Sequence, residues 1–248
     1  FQRGLETTLS PHTKRPYAPT TVNRVMATLR HFGRWLHGLR PLLAGNPLEG
    51  VRDLRLDEPA WKGLTDRQVM RLKAACEQRL NACRRADQNP LLEAAVFFVL
   101  LNTGLREFEL VGLNVGQYHH RGFHDVKRKA RRISKKVPVP LEAREWLNRY
   151  LETRPEAEAD QPLFLSRYGR RLGVRDVQRV CERLSNQASA QLPEFERFKL
   201  SPHMLRHTFL KRIADKHGVH YAQKLSGNVS MREVFRYTAP KDSDPSLS

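Results

Sequence analysis

Residues 90–102, PLLEAAVFFVLLN, constrain this chain more than any other stretch. Their unbroken apolar core, Ala94–Leu101, is far shorter than the roughly 18 residues that a membrane span requires. A segment apolar on every side yet too short for a bilayer predicts a helix at the centre of a globular domain, walled in by other helices. No membrane partner is expected.

The sequence supplies the walls. Thr65 offers an N-cap, and Val69, Leu72 and Ala75 follow it on one helical face. A helix starts at Arg106, and others are predicted at Glu142–Glu152, Val174–Gln187, His203–His217 and around Val219–Leu225. Residues 121–139 differ. Gly122, Phe123, Val126, Ile133, Val137 and Val139 are interspersed with Lys127-Arg128-Lys129-Ala130-Arg131-Arg132, which reads as two short strands around a basic turn.

Nearer the start, residues 1–18 read as a loose lead-in with Pro11 and Pro16. Val22, Val25, Leu29, Phe32, Leu36 and Leu39 then recur at helical spacing behind Thr20-Thr21, which can cap the first turn. Pro41, Gly45, Asn46-Pro47 and Gly50 break the chain, and RDLRLDEPAWK (residues 52–62) has no steady period. The predicted organisation is a small all-helical domain over residues 1–56, a linker at 57–63 and a larger domain over 64–248. The class is mainly α with a small antiparallel β-sheet (α+β).

Lys and Arg number 44 against 26 Asp and Glu, a formal net charge of +18, while 40% of residues are hydrophobic. That much apolar material excludes a disordered polybasic tail. The surplus calls for a polyanionic partner, with nucleic acid ahead of an anionic membrane because no long, cleanly amphipathic Lys-rich helix stands out. Charge alone is also compatible with a merely soluble basic protein. Cys76, Cys83 and Cys181 form neither a metal-ligand spacing nor a disulfide framework, and no cluster of carboxylates or of His and Cys is visible in the sequence, so no metal or cofactor is expected. The chain opens at Phe1 without the charged and apolar regions of a signal peptide, and the expectation is a cytoplasmic protein.

Three strings carry chemistry. In Thr103-Gly104-Leu105-Arg106-Glu107-Phe108-Glu109-Leu110, a guanidinium at a helix head meets an anion-friendly terminus, and Glu109 lies one turn on, where it can hold Arg106. Taken alone, such a pair is more often a solvated ion pair. In His203-Met204-Leu205-Arg206-His207, spacing i, i+3 puts His203 and Arg206 on one face, a pairing suited to a phosphate and equally to a basic surface helix. His207 points elsewhere and reads as structural. The third is Leu225-Ser226-Gly227-Asn228, with Tyr237 nine residues after Asn228; a lone tyrosine is usually a packing residue.

In this order and spacing the strings resemble the tyrosine recombinases, the phage-integrase family, from about Thr20 to Thr238. The resemblance implies a DNA-clamping core-binding domain followed by a catalytic domain that begins near Leu64-Thr65. It implies that Arg106 and Arg206 clamp the scissile phosphate, that His203 assists proton removal and that Tyr237 attacks. A hairpin lysine then protonates the departing 5′ oxygen. Matching Val137-Pro138-Val139 to the strand after the family hairpin places that lysine at Lys129, with Lys127 as the fallback because the family's glycines are absent from this turn. Arg24, Arg30 and Arg34 on the first helix, and Lys127, Arg128, Arg131 and Arg132 on the turn, would neutralise phosphates from different sides of the duplex. The implied partner is double-stranded DNA with inverted recognition arms, bound by a dimer per site and a tetramer in synapsis. The implied setting is the nucleoid of a bacterium, with the protein bacterial or phage-encoded. A type IB topoisomerase shares the nucleophile chemistry, and a catalytically weakened DNA-binding relative is a further alternative.

Asn228 departs from the family, which has His or sometimes Trp there. Asn donates a hydrogen bond but exchanges no proton at neutral pH; either the position needs only a donor, or the enzyme is damped. If it is a donor, Asn228→His keeps single-turnover cleavage of a nicked suicide substrate within about tenfold, whereas Asn228→Leu loses roughly 10- to 150-fold with the charge-assisted bond. A rise well beyond tenfold with His marks a damped enzyme instead.

Overall fold

The structure is a computed structural model that describes residues 1–40, 45–56, 62–82, 88–128 and 132–227. The chain divides into two compact units, Phe1–Pro59 and Ala60–Ser248. Most of the predicted linker, residues 57–61, lies outside the described residues.

The first unit is built on α2 (Pro19–Leu39), preceded by a short helix α1 (Gln2–Thr7) where the sequence reading has a loose lead-in. The six residues of α1 include no buried side chain, so no apolar period announces it. Helix α2 opens at Pro19 with Ala18 as its N-cap, not at a capping threonine; the fixed φ of proline suits a first helical position, where no N–H is missed. Its buried residues are Val22, Met26 and Gly33, while Phe32, Leu36 and Leu39 of the expected apolar face stay exposed. The reason is a narrow packing partner. The return segment lies along one stripe of α2, tied by Asn23, which exchanges two hydrogen bonds with the backbone of Leu54 (2.9 and 2.7 Å). Asn46 and Leu48 fill the space over Gly33.

The second unit surrounds α4 (Pro90–Thr103), and eleven of its fourteen residues are buried. Asn89 caps it by accepting from Leu92 N–H (2.9 Å), with Pro90 in the first turn. Its walls are α3 (Asp66–Ala82), α6 (Leu141–Glu152), α7 (Val174–Ser189) and α8 (Pro202–His217). Phe98 stacks on Trp146 of α6 with centroids 5.1 Å apart. The one carboxylate in this apolar helix, Glu93, is buried and meets Arg79 and Arg183, each at 2.6 Å. None of the described helices is long and apolar enough to cross a membrane.

After α5 (Glu107–Val111) comes a three-stranded antiparallel sheet in the order β1 (Tyr118–His119), β2 (Gly122–Lys127), β3 (Ile133–Pro138). Phe123 pairs with Val137 and Lys127 with Ile133. Beneath the turn, the Arg128 N–H donates to the Arg132 carbonyl (2.7 Å). The last described helix, α9 (Val219–Ser226), packs on α8 through Phe209, Leu210, Ala214 and Ala222. The start of the unit is pinned to α8: Leu64 N–H donates to the Thr208 hydroxyl (2.8 Å). The mainly helical α+β class read from the sequence is the one observed.

Helix α4 stops at Gly104, which takes φ 61° as a left-handed C-cap. A Cβ built there would lie 2.2 Å from the Phe209 ring. Gly104→Ala therefore combines backbone strain with overpacking and costs about 2–4 kcal/mol in urea unfolding. Gly169→Ala, at φ 70° with open space around it, costs about 1 kcal/mol from the backbone alone.

Candidate active site

Arg106 sits at the N-cap of α5, half-buried. Glu109 reaches back to it twice: the Arg106 backbone N–H donates to Oε2 (2.9 Å) and its guanidinium Nη1 to Oε1 (3.1 Å). The pair read from the sequence is thus formed, but it is not a solvated surface pair. Glu109 is 2% exposed, and a carboxylate so deep needs full compensation.

The second cation is Arg128. As a member of the basic turn it is expected to face DNA, and the structure corrects this placement. Arg128 is 6% exposed and its Nη1 donates to Glu109 Oε2 at 2.5 Å. Its Nε donates to the Ser134 hydroxyl (2.9 Å) across the hairpin, and Nη2 reaches the Leu225 carbonyl (3.5 Å) at the end of α9. One guanidinium thereby joins α5, the hairpin and α9. The signal was present in the alternation: Val126 is buried and Lys127 exposed, so a period of two carries Arg128 to the inner face.

Helix α8 brings the next pair. Its N-cap, Ser201, accepts from Met204 N–H (3.4 Å), and the first turns present His203 and Arg206. Arg206 is 1% exposed; Nη1 donates to the Gly104 carbonyl at the end of α4, and Nη2 donates to the Ser226 carbonyl (2.8 Å). It bolts together the segments that lead to Arg106 and to residue 228. His203 keeps contact with solvent and its ring meets that of His207 edge-on, centroids 4.6 Å apart. Desolvation first, then the charges of Arg206 and Arg106, hold the His203 imidazole below its ordinary pKa. Burial pushes His207 down further, to about 4. Both rings are therefore neutral at pH 7, and a neutral imidazole can accept a proton.

The structure thus brings Arg106, Glu109, His203 and Arg206 together. Lys129, Arg131, Asn228 and Tyr237 lie outside the described residues. Lys127 and Arg132 are exposed at the ends of the strands. In the first unit Arg24 and Arg34 are exposed, whereas Arg30 is spent locally, donating to the Val51 carbonyl (2.7 Å) and pairing with Asp53. No group of three His, Cys, Asp or Glu side chains that could hold a metal occurs among the described residues.

Because Glu109 has no solvent to fall back on, Arg128→Met leaves a half-compensated buried carboxylate and lowers stability by about 3 kcal/mol or more in urea unfolding. Arg132→Met, on the exposed side of the same turn, stays within about 0.5 kcal/mol. Equal effects would show that Arg128 is not the inward-facing member of the pair.

Comparison with known proteins accounts for the geometry. The Phage integrase family profile matches residues 62–244. Tyrosine recombinase XerC of Vibrio vulnificus (strain YJ016) is 31% identical over 219 residues, 86% of this chain and 64% of that protein. Tyrosine recombinase XerC of Chlamydia trachomatis serovar L2 is 30% identical over 248 residues, covering 94% of this chain and 70% of that protein. The chain thus spans about two thirds of the length of these relatives. Among solved structures, the XerH site-specific recombinase bound to a palindromic difH substrate, in a post-cleavage complex, superposes with TM-score 0.70. It is 16% identical, with 91% of this chain and 63% of that one covered. An arginine at the head of α5, a histidine and an arginine one turn apart on α8, and a profile match across the second unit converge on one assignment: this chain belongs to the phage integrase family and is a tyrosine site-specific recombinase.

Proposed function

We propose that this chain cleaves and rejoins double-stranded DNA through a 3′-phosphotyrosyl intermediate on Tyr237. One observation carries the reading: segments about 100 residues apart in sequence bring Arg106, His203 and Arg206 to one place, and the family profile runs through residue 237. A phosphodiester resists attack because its oxygens are anionic and its leaving alkoxide is poor. Arg106 and Arg206 neutralise the charge that develops on the non-bridging oxygens, an effect worth about 3 kcal/mol or more per preorganised donor. His203, neutral before the reaction, takes the phenol proton as the Tyr237 oxygen bonds to phosphorus. Lys129 then protonates the departing 5′ oxygen, with Lys127 as the alternative donor. The covalent ester keeps the bond energy, so rejoining needs no nucleotide cofactor.

The DNA carries inverted recognition arms, each pair taken by two copies of the chain, and four copies hold the Holliday junction between the two rounds of exchange. The DNA-bound state of the XerH structure supports this reading of the partner, and the net charge of +18 suits it. Exposed Arg24 and Arg34 add phosphate contacts from the first unit. The chain acts at the nucleoid.

Tyr237→Phe removes the nucleophilic oxygen and little of the interface. Covalent adduct on a nicked suicide substrate disappears in denaturing gels, while the binding constant for the same DNA changes by less than about twofold, or about 0.4 kcal/mol. An adduct that persists in the Phe variant overturns Tyr237 as nucleophile, and Tyr221 is examined next.

A further inference from the structure

Between the base of the β2–β3 hairpin and α9 the surface opens into a cleft of about 300 Å³ whose walls carry Arg128, Arg132, Ser134, His220 and Lys224. Among the described residues no carboxylate lines it. Arg128 is already matched by Glu109, but Arg132, His220 and Lys224 are exposed, and no ion pair among the described residues uses them. His220 and Lys224 stand four residues apart on α9 and so share a face. Arg132 and Lys224, with no ion pair among the described residues, line one small cleft, and an anion between them meets both charges.

The donor set says which anion. A guanidinium grips two oxygens in a plane and an ammonium meets a third as a point charge, an arrangement suited to a tetrahedral phosphate. Ser134 adds a hydroxyl: its oxygen accepts from Arg128 Nε (2.9 Å), which leaves its own hydrogen to donate. Among the described residues Ile133 is the one large apolar side chain on the walls and the His220 imidazole the one ring, so cationic groups outnumber stacking surfaces and the lining suits a backbone phosphate more than a base. The cleft is open rather than enclosed, which suits a chain that passes through it more than a free small molecule. Its floor includes Arg128 and Gly227, the same residues that border the Arg106–Glu109 group and residue 228.

We propose that this cleft is a second phosphate site, which binds a DNA backbone phosphate next to the scissile one. Arg132 and Lys224 share that phosphate and Ser134 donates to it. The assignment deepens the recombinase reading and rests on it for the position of the scissile phosphate.

Binding of a fluorescent duplex to the full chain, followed by anisotropy over a range of salt concentrations, tests it with wild type, Lys224→Gln, Arg132→Gln and the double variant. Both side chains are exposed, and unchanged thermal melting confirms that the variants are folded. Each single variant is expected to weaken binding about fivefold and the double about tenfold, not 25-fold, because partners on one phosphate are not additive. The slope of log K against log salt falls by about one in the double variant. Unchanged affinity and slope overturn the site. Losses that multiply, with a slope reduced by about two, overturn the shared phosphate, because the cations then serve separate ones. Wild-type trapping on the suicide substrate is scored separately, so a protein that binds as expected but forms no adduct counts against the recombinase reading and not against the cleft.

Discussion

A carboxylate without water is the constraint on which the second unit turns. Glu109 is buried and carries its charge between the guanidinium groups of Arg106 and Arg128. Each of those groups belongs to a different element, so satisfying one side chain fixes the head of α5 against the β2–β3 hairpin. The desolvation cost of such an ion is several kcal/mol, and only an arrangement that delivers both cations offsets it. The position of Arg106 is therefore set from below, by a residue that never faces the substrate.

Arg206 performs the same service along another direction. Its buried guanidinium donates to carbonyls at the ends of α4 and α9, where Gly104 and Gly227 both take left-handed conformations that turn the chain sharply. Backbone carbonyls at helix ends lack intrahelical partners, and a planar cation that answers two of them ties two chain reversals to a single point. The strings around Arg106 and around His203 and Arg206 thus meet because helix ends distant in sequence are stapled to one guanidinium.

Much of this was legible beforehand. The apolar run at 90–102 sits at the centre of its unit, and the predicted helices at 142–152, 174–187, 203–217 and 219–225 match observed ones within two residues. What was not legible depends on direction and partners. Arg128 lies in a run of basic residues, and composition suggested an outward face; only the two-residue alternation from Val126 pointed inward. Glu93 likewise gave one hint, an acid in an apolar helix, but nothing local named Arg79 and Arg183 as its partners. In the first unit the period of α2 marked Phe32, Leu36 and Leu39 for burial, whereas the return segment covers only the stripe of Val22, Met26 and Gly33. Periodicity identifies a face, and the extent of its cover is decided by segments distant in sequence.

The central position of α4 also sets a schedule for synthesis. This helix is apolar all round, and the walls that cover it include α6 and α8, the latter beginning about 100 residues after α4 ends. At a ribosomal rate of about 5–20 residues per second, the nascent chain carries α4 for roughly 5–20 seconds before α8 has been made. The most water-averse segment of the protein is thus among the longest to wait for its full enclosure. Newly made chains pass through an interval in which α4 is a ready target for a chaperone or for another unfinished copy.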